Sequence, residues 1–299
     1  MHFPRFDYIR PHSLAEACSF LSTHEGEAMA LAGGTDLFVK MKEQKVRAKY
    51  LVDLKALKEL EGIQPDGDRG LRVGALTLLS AVIESPSIRK KFDILPQAAL
   101  TIGGLQTRSR ATLGGNLCQA SPAADMLPPL LSLAAKVKVR GPEGERVLEL
   151  ADFFKGPGMT FLRPGEILTE ILIPQLPPSA SQVYLKHSVR KALDIAILGV
   201  AVVLTVDSRD GSVKDVKLAL GSAAPTPMRA KAAEDILRGE KIDDLLIQKA
   251  ARQASQEAEP MTDFRASAEY KREMIQVFVR RGIKIALEKK SGDGRGSIK

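Results

Sequence analysis

Apolar and polar positions alternate in short blocks along the first fifty residues. The apolar positions of 14–21 recur at helical spacing, and Ser13 with Glu16 forms a capping-box pattern that opens a helix. Short apolar runs at 28–32 and 50–54 are typical of strands. The beginning of the chain therefore predicts a compact βαβ-like unit.

The middle of the chain continues this mixture of strand and helix patterns after about residue 55. Strict alternation at 136–140 and 166–174 is typical of half-buried strands. Gly70–Ala75 predicts another strand, following a tight Asp-Gly turn at 66–67. Helices are expected at three places: 78–84, from 94–99 onward, and in a short proline-containing apolar segment at 125–133.

A proline-rich stretch, Pro174–Pro178, is the best candidate for a linker. Its three prolines in five residues can continue neither a helix nor a sheet ladder. Beyond it we expect three antiparallel strands and then two helices, in the order 183–186, 195–206, 213–220, about 230–257 and 267–289. The tail at 291–299 contains mainly Gly, Ser and charged residues and is expected to be disordered.

A polar, glycine-rich stretch at 101–125 separates two of the predicted helices. It reads T-I-G-G-L-Q-T-R-S-R-A-T-L-G-G-N-L-C-Q-A-S-P-A-A-D and contains two Gly-Gly pairs. Glycine lets a backbone approach a ligand closely, and successive N–H groups in such turns bind anions. Ser121-Pro122 predicts a helix start, with Ser121 as N-cap and Asp125 in the first turn. Taken alone, the stretch is also compatible with an ordinary surface loop.

A further glycine pair lies upstream, in Leu31-Ala32-Gly33-Gly34-Thr35-Asp36-Leu37. It follows an apolar run and precedes Phe38-Val39-Lys40-Met41, which predicts the strand, polar turn and helix of a phosphate-binding turn. The chain has neither G-x-G-x-x-G nor G-x-x-x-x-G-K-[ST] at this turn. A Rossmann or P-loop assignment is therefore disfavoured.

Together the two motifs, A-G-G-T-D-L and R-x-R-A-T-L-G-G-N-L-C-x-A-S-P-x-x-D, resemble those of the FAD-binding medium subunit of the molybdenum hydroxylases, the family of xanthine dehydrogenase and carbon monoxide dehydrogenase. D-I-A-I-L-G-V-A and L-G-S-A-A-P-T-P-M-R-A resemble its C-terminal domain, so the likeness extends to about residue 290.

The resemblance implies an α+β fold in two parts. Residues 1–175 would form an FAD-binding region of the vanillyl-alcohol-oxidase or PCMH type, with subdomains at about 1–55 and 56–175. Residues 176–290 would form a C-terminal domain of a three-stranded antiparallel sheet with helices.

The resemblance also implies a function and partners. The chain would carry FAD and transfer electrons between iron–sulfur clusters of a small subunit and an external electron acceptor or donor. A molybdenum cofactor in a large subunit would act on the carbon substrate. The carrier, the substrate and the direction of electron flow cannot be inferred from this chain. FAD needs donors for its pyrophosphate, a slot for its isoalloxazine ring and polar partners for its hydroxyls.

By resemblance, the first glycine turn supplies backbone N–H groups to the pyrophosphate, between apolar walls at Leu31 and Leu37. The implied FAD-binding residues are Leu31, Ala32, Gly33, Gly34, Thr35, Asp36, Leu37, Ile102, Gly103, Thr112, Gly114, Gly115, Asn116, Ser121, Asp125, Leu168 and Lys186.

The second motif completes the set by resemblance. Thr112 and Asn116 would serve the phosphate and ribityl side, and Gly114 and Gly115 would permit close backbone approach. Ser121 and Asp125 would bond adenosine or ribityl hydroxyls.

Three positions of the implied site concern the flavin ring. Ile102, beside Gly103, matches a residue that packs on the isoalloxazine and is aromatic in some branches. Leu168 matches an apolar position beside the flavin. A cation at Lys186 would favour reduced, anionic flavin.

Several of these residues also have simpler interpretations. Thr112 is compatible with a turn hydroxyl and Asp125 with a helix first-turn acid. Lys186 is compatible with a surface lysine on a strand. Arg108 and Arg110 could serve phosphates, although their family position favours loop ordering or subunit contacts.

The overall composition narrows the function classes. The net charge of +8 comes without tryptophan and without basic stretches interleaved with aromatics, which disfavours nucleic-acid binding. No apolar run reaches membrane-spanning length, and the first residues lack a signal-peptide pattern, so we expect a cytoplasmic protein.

The cysteines and histidines do not predict a metal site. Cys18 fits a small core residue, Cys118 lies in the motif, and neither belongs to C-x-x-C, so no iron–sulfur cluster is expected in this chain. The four histidines are not at ligand spacing.

No catalytic acid–base pair or nucleophile triad is recognisable, which fits an electron-transfer subunit. A self-sufficient FAD-dependent oxidase or dehydrogenase and a non-catalytic nucleotide-binding module remain the alternatives.

Overall fold

The computed structural model describes residues 4–290, so the expectation of a disordered tail at 291–299 lies outside the described residues. The longest strands lie in the second half of the chain. In chain order they are β1 (Asp7–Ile9), β2 (Ala28–Leu31), β3 (Tyr50–Asp53), β4 (Ile63–Pro65), β5 (Gly70–Gly74), β6 (Lys136–Gly141), β7 (Gly144–Glu149), β8 (Phe154–Gly156), β9 (Met159–Thr160), β10 (Ile167–Pro174), β11 (Ser181–His187), β12 (Leu198–Val206), β13 (Val213–Gly221) and β14 (Met228–Arg229).

The helices are short except for three of them. They are α1 (Leu14–Thr23), α2 (Leu37–Lys42), α3 (Leu79–Glu84), α4 (Pro86–Lys91), α5 (Ile94–Leu100), α6 (Leu105–Arg108), α7 (Leu113–Cys118), α8 (Leu127–Ser132), α9 (Lys231–Leu237), α10 (Asp244–Glu257) and α11 (Ala268–Lys290). Single 3-10 turns lie at Leu54–Ala56, Lys58–Leu60, Gly67–Arg69 and Leu150–Asp152. Within the described residues, no helix is long and apolar enough to cross a membrane.

The described chain divides into two compact units. Unit 1 holds the residues up to Val82, Gly103–Ala120 and Ala135–Pro174. Unit 2 holds Ile83–Ile102, Ser121–Ala134 and the residues from Gln175 onward. The sequence division near residue 175 stays a prediction.

Unit 1 begins with the predicted βαβ arrangement. Strand β3 lies between β1 and β2 in a parallel sheet, where Leu51 pairs with both Tyr8 and Met29. Parallel strands require a crossover, which α1 supplies. The capping prediction for α1 is confirmed, because the Ser13 hydroxyl accepts from the Glu16 N–H at 3.2 Å. The sheet therefore delivers the first glycine turn at the end of β2.

The second sheet of unit 1 is antiparallel, in the order β4-β5-β10-β6-β7. Its central strand is β10, where Ile171 pairs with Val73 on one side and Val137 on the other. All three side chains are buried. The strand predicted at 166–174 is confirmed, and burial alternates from Thr169 to Pro174. Ile167, Leu168 and Thr169 are all buried, next to a register shift between Leu168 and Glu170.

Unit 2 contains the three predicted antiparallel strands and a fourth, two-residue strand, in the order β11-β12-β13-β14. Val202 of β12 pairs with Val183 and Leu218. Helix α11 packs on this sheet at Gly282, where a Cβ would lie 2.8 Å from the Val202 side chain. The helix predicted at 230–257 is two helices, because the chain turns through Gly239 at φ +84°.

The predicted helix start at Ser121 is wrong. The Ser121 hydroxyl accepts from the Ala123 N–H at 3.3 Å, and the following residues form turns until α8 begins at Leu127. The Pro122 carbonyl accepts from the Ser222 N–H at 2.7 Å, an interaction that the local sequence does not reveal. The glycine-rich stretch is also more helical than a loop, because it contains α6 and α7.

Candidate functional site

The first glycine turn presents a run of free backbone donors. Strand β2 ends at Leu31 and α2 begins at Leu37, with Gly34 at φ +74°. Within the described residues, the N–H groups from Gly33 to Leu37 donate no hydrogen bond. Consecutive free N–H groups in a turn form an anion-binding concavity. The turn can therefore hold a phosphate or diphosphate without losing an internal bond.

The two glycines of this turn are required by packing. A Cβ at Gly33 would lie 1.9 Å from the Arg110 carbonyl oxygen, so the turn lies directly against the second motif. A Cβ at Gly34 would lie 2.7 Å from the Phe38 ring and would be strained at positive φ. Leu31 is buried next to the turn, and Ala32 and Leu37 are half-buried.

The pair Gly114-Gly115 in the second motif has different surroundings. The N–H of Gly114 donates to the Ala75 carbonyl at 2.8 Å, and that of Gly115 donates to the Thr112 hydroxyl oxygen at 3.0 Å. A Cβ at Gly114 would lie 2.7 Å from the Ala75 carbonyl oxygen. These glycines are needed to pack α7, and their contact with a ligand stays a prediction.

Thr112 is the N-cap of α7. Its hydroxyl oxygen accepts from Gly115, and its hydroxyl proton remains able to donate. The interpretation of Thr112 as a turn hydroxyl is therefore partly confirmed, because its hydroxyl caps α7. Its role toward a phosphate stays a prediction.

Asn116 carries an unsatisfied side chain. Its Oδ1 is buried and has no hydrogen-bond partner within the described residues. A buried polar atom without a partner is costly, and native structures keep few of them. A hydrogen-bond donor of a ligand can satisfy this oxygen.

Asp125 and Lys186 form a buried ion pair in unit 2. Lys186 Nζ donates to Asp125 Oδ2 at 2.9 Å and to the carbonyls of Thr101 at 3.0 Å and Asp194 at 2.8 Å. These three bonds use all the hydrogens of the ammonium. The alternatives of a surface lysine and of a helix first-turn acid are therefore both wrong.

Tyr184 is hydrogen-bonded to this pair, although no sequence motif marked it as a candidate site residue. Its hydroxyl donates to Asp125 Oδ1 at 2.7 Å. Tyr184 and Lys186 are two residues apart on β11, a spacing that places both side chains on one face and could have signalled it. Burial raises the pKa of the Asp125 carboxyl, while the Lys186 charge and the hydrogen bond from Tyr184 lower it. Burial beside Asp125 raises the pKa of Tyr184 well above its usual value.

The remaining predicted residues are divided between the units. Gly103, at φ +48°, and Leu168 belong to unit 1, with the first turn and the segment from Thr112 to Asn116. Ile102 and Ser121 belong to unit 2 with Asp125 and Lys186.

Neither cysteine has the properties of a reactive thiol. Burial raises the pKa of Cys118 to about 12, and burial also raises that of Cys18. A thiol with a raised pKa forms little of the nucleophilic thiolate. Within the described residues, no group of His, Cys, Asp or Glu side chains could hold a metal ion.

Two family models match this chain. The FAD binding domain in molybdopterin dehydrogenase matches residues 4–176, and the CO dehydrogenase flavoprotein C-terminal domain matches residues 183–286. The first covers more than half of the chain.

Individual relatives agree with this assignment. The carbon monoxide dehydrogenase medium chain of Afipia carboxidovorans is 35% identical, covering 94% of this chain and 96% of its own. The xanthine dehydrogenase FAD-binding subunit of Escherichia coli O157:H7 is 32% identical, covering 95% and 97%. The structure of reconstituted CO dehydrogenase from Oligotropha carboxidovorans matches with a TM-score of 0.91 at 34% identity, over 95% of this chain and 98% of that one. The chain therefore belongs to the FAD-binding medium-subunit family of the molybdenum hydroxylases, and both the resemblance and the α+β fold class inferred from its sequence are confirmed.

Proposed function

We propose that this chain holds FAD and transfers electrons within a heteromeric molybdenum hydroxylase. Its partners are a small subunit with iron–sulfur clusters and a large subunit with the molybdenum cofactor. The carbon substrate is processed in the large subunit. Family membership supports the electron-transfer role and the partners.

The free amides from Gly33 to Leu37 carry the FAD assignment for this chain's own residues. They offer consecutive donors that suit a diphosphate. The unpaired Oδ1 of Asn116 offers a hydrogen-bond acceptor, so the residues present fit the cofactor. Bound FAD would supply redox chemistry that links one-electron clusters to a carrier of single or paired electrons.

The roles of single residues follow from this fit. The turn from Ala32 to Asp36 holds the pyrophosphate between Leu31 and Leu37. Thr112 and Asn116 contribute polar contacts on the phosphate and ribityl side.

The residues of unit 2 have a less direct role in this proposal. Lys186 acts through its position and charge, since its three hydrogens already have acceptors. Asp125 neutralises that charge, and Tyr184 orients Asp125. Ile102 and Leu168 contribute apolar surface for the flavin.

We also propose a cytoplasmic location and a domain boundary near residue 175. Both cysteines are free thiols, which suits a reducing compartment. The two family models separate between residues 176 and 183, which supports the boundary.

The proposal is tested by purifying the full chain, adding FAD and removing unbound flavin by gel filtration. We expect flavin absorbance to remain with the protein and a chemical reductant to bleach it. We expect no oxidation of any carbon substrate until the two partner subunits are added. A protein that retains no FAD contradicts the cofactor assignment, and sustained substrate oxidation by this chain alone favours the self-sufficient oxidase.

A further inference from the structure

The loop between β11 and β12, residues 188–197, buries little apolar surface. The side chains of Val189, Leu193 and Ile195 are 81%, 62% and 55% exposed, and the loop becomes buried at Ala196. Segments with few buried apolar contacts open easily unless other contacts hold them. Polar contacts must therefore position this loop in unit 2.

The tip of the loop is hydrogen-bonded within itself. The Asp194 carboxylate accepts from the N–H of Arg190 at 2.8 Å and from that of Ile195 at 3.0 Å. The Arg190 guanidinium donates to the Leu193 carbonyl at 2.8 Å. Leu193 has φ +55°, a left-handed conformation that is unfavourable for leucine and that these bonds maintain. We therefore expect the tip to move as one body when an anchor is lost.

Two carbonyls of the loop are bonded to side chains outside it. Lys186 Nζ donates to the Asp194 carbonyl at 2.8 Å. The Ala196 carbonyl accepts from the Arg265 guanidinium at 2.7 Å and from the Ser222 hydroxyl at 3.3 Å. The bond from Arg265 is charge-assisted and shorter, so it is the stronger of these two. Lys186 and Arg265 thus hold the loop at positions two residues apart.

Arg265 is itself fixed by a buried cluster of charges. The Asp263 carboxylate accepts from the backbone N–H of Arg265 at 2.9 Å and from its Nε at 3.1 Å, and it also pairs with Nη2. Lys271 is 1% exposed and donates to the same carboxylate and to the Met261 carbonyl, both at 2.7 Å. Removing one member of a buried ion pair leaves an uncompensated charge, so the cluster resists rearrangement.

The chain contains a second Asp-x-Arg arrangement that lacks such a role. Arg209 donates to Asp207 through its backbone N–H at 2.9 Å and through its guanidinium at 3.2 and 2.9 Å. Its side chain is 88% exposed, against 17% for Arg265. Within the described residues, the Arg209 side chain has no hydrogen-bond acceptor other than Asp207. The local motif is the same in both places, and the Ala196 carbonyl is the difference.

We propose that Arg265 is a positioning residue of the electron-transfer site, because it fixes the loop at Ala196 and thereby fixes the ammonium of Lys186. Where it concerns the flavin, this inference rests on the function proposed above, in which Lys186 acts through its position and charge. Without Arg265 the loop moves at Ala196, and the Asp194 carbonyl moves with it. Lys186 then loses one of its three acceptors, and its ammonium is no longer held in one place. A cation favours reduced, anionic flavin, so a displaced Lys186 should lower the midpoint potential of the flavin.

The first test follows trypsin cleavage after Arg190 and Lys191 in the FAD-free full chain by mass spectrometry. Arg265→Gln removes the charge-assisted bond, and we expect cleavage to become about tenfold faster, because proteolysis of an opened segment follows its population. Arg265→Lys keeps a cation beside Asp263 but has a shorter reach, so cleavage should be about threefold faster. It decides the test if Arg265→Gln does not fold. Arg209→Gln is the matched control and should leave the cleavage rate unchanged.

The second test measures the midpoint potential of the flavin in the FAD-loaded full chain. Arg265→Gln should lower it in the same direction as Lys186→Gln, and the double variant should match Lys186→Gln alone, because Arg265 acts through Lys186. Unchanged cleavage in both Arg265 variants overturns the proposal. An unshifted potential in Arg265→Gln also overturns it, as does a double variant whose shift is the sum of the two single shifts. If the chain retains no FAD, the function proposed above fails, and the cleavage rates still decide whether Arg265 fixes the loop.

Discussion

Unit 1 contains the same dipeptide in two opposite environments. The amides that begin at Gly33-Gly34 have no acceptor within the described residues, whereas those of Gly114-Gly115 are bonded to Ala75 and Thr112. The N–H groups at Gly33-Gly34 are available to a ligand, whereas Gly114-Gly115 pack α7 against Ala75, which follows β5. Glycine allows close packing in both places. A glycine N–H that has no protein acceptor can donate to a ligand, whereas one that is already hydrogen-bonded cannot.

The largest effect should come from Gly33→Ala. The new Cβ would lie 1.9 Å from the Arg110 carbonyl oxygen, so the turn must move away from the second motif. We expect FAD affinity to fall by at least about 100-fold, because displaced amides no longer converge on the diphosphate. Flavin fluorescence titration measures this.

Gly26→Ala is the matched control for that substitution. Gly26 has φ +77° and open space around its Cβ position. It should cost about 1 kcal/mol of stability from backbone strain and leave FAD affinity unchanged. If Gly26→Ala lowered FAD affinity as much as Gly33→Ala does, the loss could not be attributed to the contact between Gly33 and the Arg110 carbonyl.

Gly114→Ala should show the opposite pattern. Its Cβ would lie 2.6 Å from the Ala75 Cβ, and overpacking of this kind costs about 1–3 kcal/mol of unfolding free energy. FAD affinity, measured on protein that stays folded, should change by less than about threefold, which is under 0.7 kcal/mol. Urea unfolding and flavin titration separate the two quantities. Full stability with lost flavin would reverse the comparison.

Asn116→Ala sharpens the comparison with a smaller effect. Asn116 lies in α7 directly after Gly114-Gly115, yet its side-chain Oδ1 has no hydrogen-bond partner within the described residues. Removing it should lower FAD affinity by about tenfold while leaving the FAD-free protein as stable or slightly more so, since a buried unsatisfied group is lost.

Gln119→Ala, at the end of the same helix, is the control for helix effects. It should change neither quantity. An Asn116→Ala protein with unchanged FAD affinity would mean that the amide does not face the cofactor.

Much of the fold could be predicted because its signals are local. The N-cap at Ser13 and the strand β10 depend on neighbouring residues, and both are confirmed. The helix start at Ser121 was wrong because the Pro122 carbonyl is bonded to Ser222, a hundred residues away in sequence.

Candidate site residues could be named from the sequence, but the hydrogen bonds that they form could not. The Asp125–Lys186 pair joins positions 61 residues apart, and the hydrogen bond from Tyr184 to Asp125 joins positions 59 residues apart. Likewise, the sequences of Gly33-Gly34 and Gly114-Gly115 do not reveal which of these dipeptides has hydrogen-bond acceptors in its surroundings.

The central claim is that the open turn from Gly33 to Leu37 holds the diphosphate of FAD. The most direct measurement is a fluorescence titration of the FAD-free chain with FAD and, separately, with riboflavin, which has the same ring system but no phosphate. We expect FAD to bind at least about 100-fold more tightly, because only FAD can accept from the free amides, and each such charge-assisted bond contributes on the order of 1.5–3 kcal/mol. Equal affinity for the two flavins would contradict the assignment of the turn.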